Sequence, residues 1–143
     1  MKIALISCVS KKLELADGEL VEARKLYQSP LFRNAYIYAQ KLGVDATYIL
    51  SAKYGLLSPN DKIGWYNETL RDKSSKECKD WAKEIITELR RRGIDLNEDT
   101  FYLLAGKKYY QYLLGEGKIQ KYVLPYAGLK GIGYILSFLK SNL

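Results

Sequence analysis

Short apolar runs alternate along the chain with longer segments whose apolar residues return every three or four positions. Four runs carry the signature of buried strands, rich in β-branched or aromatic residues and ending in small or turn-forming ones. They are residues 2–7 (KIALIS), 46–51 (ATYILS), 100–105 (TFYLLA) and 121–124 (KYVL). The segments between them read as helices. Residues 29–42 (SPLFRNAYIYAQKL) place Ser29 as N-cap, Pro30 at the first helical position and Gly43 past the end. Leu31, Phe32, Ala35, Tyr38, Ala39 and Leu42 follow the helix period within it. Residues 74–92 form the longest helix, with Trp81, Ile85, Ile86 and Leu89 on one face and Gly93 closing it. Arg90, Arg91 and Arg92 fall in its last turn, where cations meet the negative end of the helix dipole. Shorter helices are expected over 107–114 and 131–143.

Strand followed by helix, four times over, predicts an α/β fold in three layers: a four-stranded, mostly parallel sheet with helices on both faces. The expected organisation is a single α/β domain over residues 1–143, without internal repeat, low-complexity segment or linker. One stretch breaks the alternation. Residues 52–70 (AKYGLLSPNDKIGWYNETL) show neither period; loops that long inside compact domains are usually functional or disordered, and the aromatic content here argues against disorder.

Composition changes this picture chiefly by exclusion. Among 143 residues there is no histidine, so no Ser-His-Asp or Cys-His nucleophile and no His-based zinc or iron site can be assembled. Two cysteines, Cys8 and Cys78, cannot supply a four-thiolate metal site, and they read as free thiols in a reducing compartment. The net charge of +7 suits a polyanionic partner. Thirteen tyrosines, against three Phe and two Trp, suit half-buried packing and stacking on nucleobases. The opening MKIALISCVSKK is too short for a signal peptide, and no apolar stretch approaches the roughly 20 residues of a membrane span. A cytoplasmic protein without a membrane partner is expected.

In an open parallel sheet, ligands bind at the carboxyl ends of the strands. The four strand tips read Ser7-Cys8-Val9-Ser10-Lys11-Lys12, Ser51-Ala52-Lys53-Tyr54-Gly55, Ala105-Gly106-Lys107-Lys108-Tyr109 and Pro125-Tyr126-Ala127-Gly128. All hold small residues or glycines, which let a ligand approach the backbone, and three add lysines. Turns collect the same residues for conformational reasons alone. Cys8 is a candidate thiol or a buried structural cysteine, and without histidine only a lysine or a helix terminus can activate it. Ser10, Lys11 and Lys12 resemble an anion cradle but lack P-loop spacing. The turn GLKGIG (Gly128, Gly131, Gly133) fits either a phosphate contact or a packing turn. Lys107-Lys108-Tyr109-Tyr110 is a basic-aromatic cluster of the kind that grips single strands. Arg24 and Tyr27, spaced i and i+3 in ARKLY, are expected on one helical face. The 52–70 loop adds Lys53, Tyr54, Asp61, Tyr66, Asn67 and Glu68, covering the carboxylate, amine and phenol types left for acid-base chemistry.

The strings ISCVSKK, ARKLYQSPLFRNAYIYAQ, YILSAKYGLLSPNDKIGWYNETL, LLAGKKYYQYLL and LPYAGLKGIG together resemble a small prokaryotic and viral domain family of unknown function. That family looks related to YaaA-type peroxide-stress proteins and to domains accompanying tRNA-guanine-transglycosylase-like enzymes, with an architecture similar to the uracil-DNA glycosylase fold. The resemblance implies roles for Ser7, Cys8, Ser10, Lys11, Arg24, Leu26, Tyr27, Ser51, Lys53, Tyr54, Gly55, Tyr66, Leu70, Gly106, Pro125 and Gly128. Relatives carry Pro-Tyr-Asp where this chain has Trp65-Tyr66-Asn67, so a catalytic Asp would be replaced here by Asn67, with Glu68 alongside.

The expected function is therefore binding of a nucleic acid or nucleotide, with N-glycosidic hydrolysis or base exchange as the reaction and neither cofactor nor metal. Lys11, Lys53 and Arg24 would hold phosphates, Tyr54 and Tyr66 would frame the base, and Asn67 and Glu68 would orient or activate water. Ser7, Cys8, Ser10, Tyr27, Ser51, Gly55, Gly106, Tyr109 and Gly128 complete the expected binding set. The alternatives are a non-catalytic nucleic-acid-binding module and an enzyme acting on a free nucleotide or sugar phosphate.

Overall fold

A computed structural model of the chain describes residues 1–7 and 12–143. In chain order its strands are β1 (Lys2–Ser7), β2 (Val21–Glu22), β3 (Ala46–Ser51), β4 (Gly55–Leu57), β5 (Lys62–Ile63), β6 (Thr100–Leu104) and β7 (Lys121–Val123). Its helices are α1 (Ala23–Leu26), α2 (Pro30–Lys41), α3 (Ser75–Arg91), α4 (Lys107–Tyr110) and α5 (Ile132–Ser141), with 3₁₀ turns at Leu70–Asp72 and Gln111–Leu113.

The main sheet has five strands in the order β4-β3-β1-β6-β7. β1 is central, parallel to β3 on one side and to β6 on the other, and β7 extends the parallel set beyond β6. Ile3, Ala4, Leu5 and Ile6 are all fully buried, which is why β1 reads as a continuous apolar run and not as an alternation. Ile3 and Leu5 enter the core beneath α3, while Ala4 and Ile6 enter the core shared with α2 and α5. Three layers result, as expected from the alternation of strands and helices.

The fifth strand, β4, was not visible in the hydrophobic pattern. It folds back antiparallel on β3 with Ser51 opposite Gly55. The buried Ser51 hydroxyl closes the reversal by accepting the N–H groups of Lys53 (3.3 Å) and Tyr54 (2.9 Å). Gly55 takes φ +76°, a left-handed conformation that side chains disfavour. β5 pairs antiparallel with β2 in a separate two-stranded sheet. The segment 52–70 thus contains two strands, and at three and two residues neither is long enough to display a period of two.

The helix boundaries follow their local signals. Ser29 Oγ accepts the Phe32 N–H at 3.1 Å with Pro30 opening α2. Ser74 and Glu77 form a reciprocal capping box at α3, the Ser74 hydroxyl accepting the Glu77 N–H and the Glu77 carboxylate accepting the Ser74 N–H, both at 3.1 Å. Those bonds hold the Glu77 carboxyl below its ordinary range, the backbone N–H contributing most. Its capping role is accordingly full at neutral pH and is lost as acid protonates the group. Replacing Ser74 by Ala should lower stability by about 1 kcal/mol, read as a shift of the urea midpoint.

The arginine run does more than meet a helix dipole. Arg92 pairs with Glu88 at 3.2 Å, donates to Ser58 Oγ at 2.8 Å and stands 5.0 Å over the Tyr48 ring. It ties the end of α3 to β3 and to the chain leaving β4. The expected 107–114 helix divides into α4 and the 3₁₀ turn at Gln111–Leu113. Among the described residues no helix is long and apolar enough to cross a membrane.

Candidate functional site

The carboxyl ends of β1 and β6 open into a cavity of about 250 Å³. Ser7, Leu104 and Ala105 come from the strand ends, Leu31 and Ala35 from α2, and Ile132 and Ile135 from α5. Gly106 through Tyr109, Tyr126 and Arg71 complete the lining. These walls are mostly apolar, and no carboxylate is among the described residues that form them.

Several lining residues are held by contacts distant in sequence. The Tyr109 hydroxyl accepts the Leu70 N–H at 3.4 Å and stands 3.5 Å from Thr69 Oγ1, while its ring meets Trp81 edge-on at 5.8 Å. Lys108 Nζ donates to the carbonyls of Arg71 (3.2 Å) and Lys73 (3.0 Å). The 70–73 segment is thereby fastened to α4, and Arg71 and Lys107 both line the cavity. Both of these cations are exposed, and neither forms an ion pair among the described residues. Lys108, by contrast, is spent on backbone carbonyls.

A second cavity, also about 250 Å³, adjoins the first and shares Ala105, Gly106, Lys107, Tyr126 and Ile135 with it. Gly128, at φ +80°, lies in its wall. The Tyr126 hydroxyl is buried without a hydrogen-bond partner among the described residues. Burial, with Tyr38 nearby, pushes this phenol well above its ordinary range, so it stays protonated at neutral pH.

A separate aromatic cluster gathers three of the predicted tyrosines. The hydroxyls of Tyr27 and Tyr66 are 2.6 Å apart, and the Tyr66 ring meets the rings of Tyr27 and Tyr54 edge-on at 6.4 and 5.5 Å. Lys12 Nζ stands 4.5 Å over Tyr66, and Lys53 Nζ 5.3 Å over Tyr54.

The predicted site residues therefore divide. Ser7, Gly106 and Tyr109 line the first cavity and Gly128 the second. Tyr27, Tyr54, Tyr66 and Lys53 belong to the aromatic cluster, and Ser51 and Gly55 build the β3–β4 reversal. Asn67 and Glu68 are exposed outside both linings, with Glu68 paired to Lys73 at 3.5 Å. Arg24 is also outside, held by Glu22 at 2.9 Å and donating to Asn60 Oδ1 at 3.3 Å. Arg24 and Tyr27 do not share a helical face. α1 ends at Leu26 and Tyr27 is extended (φ −87°, ψ 118°), so Tyr27 is buried while Arg24 is exposed. Leu26 and Leu70 are core residues, and Cys78 is buried against the Leu70 carbonyl. Cys8, Ser10 and Lys11 lie outside the described residues.

Arg71, Leu31, Ala35, Ile132 and Ile135 were missed as site residues. The apolar four repeat at helical spacing, which marks a packed face without saying that part of it borders a cavity. Arg71 follows the long irregular segment, and nothing local distinguishes it from other surface arginines.

Comparison with known proteins agrees with the breadth of the sequence resemblance. The chain is 31% identical over 141 residues to the uncharacterized protein YfjM of Bacillus subtilis (strain 168), covering 96% of this chain and 92% of that one. A family model described as "Family of unknown function (DUF6884)" matches residues 3–141, and the chain belongs to that family.

Proposed function

We propose that the cavity at the ends of β1 and β6 binds the base of a nucleotide, free or at an accessible position in a nucleic acid. The observation that carries this reading is the combination in one lining of mostly apolar walls, two cations that form no ion pair among the described residues, and no carboxylate among the described lining residues. A heteroaromatic ring suits the walls, and a phosphate suits Arg71 and Lys107. Ser7 and Gly106 allow close approach where larger side chains would intrude. The sequence's resemblance to a family that looks related to YaaA-type proteins and to domains accompanying base-exchange enzymes supports nucleobase chemistry.

The proposed reaction is release or exchange of the base. In hydrolysis, water adds to C1′ as the glycosidic C–N bond breaks, and the proton lost by water passes to the departing base. Asn67 and Glu68, on the segment that leads into Arg71, are the groups proposed to orient and activate that water, with Lys53 and Tyr66 as further candidates. One observation favours a second reading, a binding module without turnover: Lys53, Asn67 and Glu68 are absent from the cavity lining.

Calorimetric titration with nucleosides and their 5′-monophosphates tests the binding. The monophosphate should bind more tightly than the nucleoside, and Arg71→Ala with Lys107→Ala should remove that advantage, about tenfold, while leaving nucleoside affinity unchanged. Equal loss for both ligands, or no binding of either, overturns the site. Mass spectrometry of DNA, tRNA and nucleosides incubated with the protein separates the two readings: released base that Glu68→Gln abolishes supports catalysis, and its absence from a protein that binds supports the module.

A further inference from the structure

Three exposed apolar side chains converge on Gly64, outside the cavity. Leu20, Tyr54 and Trp65 are 56%, 38% and 49% exposed. The Tyr54 hydroxyl accepts the Gly64 N–H at 3.3 Å and donates to the Gly64 carbonyl at 3.4 Å. A Cβ placed on Gly64 would stand 3.7 Å from both Leu20 Cδ2 and the Tyr54 hydroxyl oxygen. Trp65 is the next residue. The Tyr54 ring is braced from behind by Tyr66, edge-on at 85°. Leu20, Tyr54 and Trp65 thus bring exposed apolar and aromatic groups to one place around Gly64.

Its charge is positive. Lys53 stands over the Tyr54 ring at 5.3 Å, and Lys62 is exposed two residues before Gly64. Neither forms an ion pair among the described residues. The nearby carboxylates have other partners: Glu19 accepts the Ala16 N–H at 2.9 Å, Asp61 accepts the Ser58 N–H at 2.8 Å, and Glu22, opposite Lys62 in the β2–β5 pair, is held by Arg24 at 2.9 Å and Lys25 at 3.6 Å. Exposed aromatic faces interleaved with unpaired lysines match a ligand that alternates planar rings with phosphates.

We propose that this surface binds single-stranded nucleic acid, with bases stacked on Trp65 and Tyr54 and phosphates against Lys53 and Lys62. A duplex would not serve, because its base faces are occupied by stacking within the helix. The inference extends the nucleotide reading from one residue to a strand, and its test is separable from that of the cavity.

Fluorescence anisotropy with labelled oligo-dT and oligo-U of about 12 nucleotides measures the interaction. Trp65→Ala should weaken oligonucleotide binding about tenfold or more, whereas Trp65→Phe should retain most of it. Lys62→Ala should flatten the slope of log affinity against log salt by about 0.7. Neither change should alter mononucleotide affinity at the cavity, and thermal unfolding should match the parent because these side chains are exposed. The inference is overturned if oligonucleotides bind no more tightly than mononucleotides, or if Trp65→Ala leaves their affinity unchanged. Trp65-dependent strand binding by a protein that takes up no mononucleotide would sustain this inference and remove the cavity reading. Unequal response of the dT and U probes assigns the surface to DNA or RNA.

Discussion

Phe101→Ala should destabilise the protein by about 3–5 kcal/mol, a large share of the roughly 5–15 kcal/mol by which domains of this kind are stable. Phe101 is fully buried on β6, paired in register with Ile3 of the central strand and Tyr122 of the edge strand. It belongs to the core beneath α3 that also holds Leu5, Ile85 and Leu89. Truncation removes a whole ring from a layer enclosed by a sheet and a helix, neither of which can collapse into the space. Urea unfolding should show the midpoint falling with the slope unchanged. Phe101→Leu, which keeps most of the volume, should cost about 1.5 kcal/mol or less. Equal stabilities for the parent and the alanine variant would contradict the assignment of this residue to the core.

Filling the cavity should have the second large effect. Ala105 ends the β6 run and lines both cavities. Ala105→Phe should reduce mononucleotide affinity about 100-fold or more, equivalent to roughly 2.7 kcal/mol. Overpacking should cost about 1–3 kcal/mol of stability, so binding must be measured at a temperature where the variant is folded. Calorimetric titration reads the affinity, and circular dichroism verifies the fold. Unchanged affinity would show that nucleotides bind elsewhere. Strand binding through Trp65 should survive this substitution, since Ala105 is not part of that surface.

Much of the architecture is legible in short stretches of sequence. KIALIS and ATYILS are strands over the expected residues: the first is buried on both faces and needs its unbroken apolar run, and the second is buried over its last three residues. Ser29-Pro30 and Ser74 with Glu77 mark helix starts because capping joins groups three residues apart, a distance a sequence displays directly. β4 was hidden since Gly-Leu-Leu is too short to alternate, and its pairing depends on the reversal that Ser51 closes. The reading of Arg24 and Tyr27 failed for a related reason: their spacing presumes a continuing helix, and α1 stops between them.

The candidate site was legible only in part. Ser7, Gly106 and Tyr109 were found because strand tips in a parallel sheet share one end of the fold, whatever the order of the strands. Arg71 reaches the same place through Lys108 and Tyr109, residues 37 and 38 positions further along the chain, and no local pattern encodes that fastening. Arg92 likewise looks like a helix-end charge until Ser58 and Tyr48 are seen against it.

By itself, the sequence determined what depends on neighbours within a few residues: the four apolar strand runs, the helix caps, and the chemistry ruled out by a chain without histidine. Only the tertiary structure decided which cations remain unpaired, which tyrosines are enclosed by one another, and which apolar side chains border a cavity instead of filling it. Those properties belong to pairs of groups brought together across the sheet and its two helical layers. Their energies depend on distance and burial, which exist only once the chain has folded.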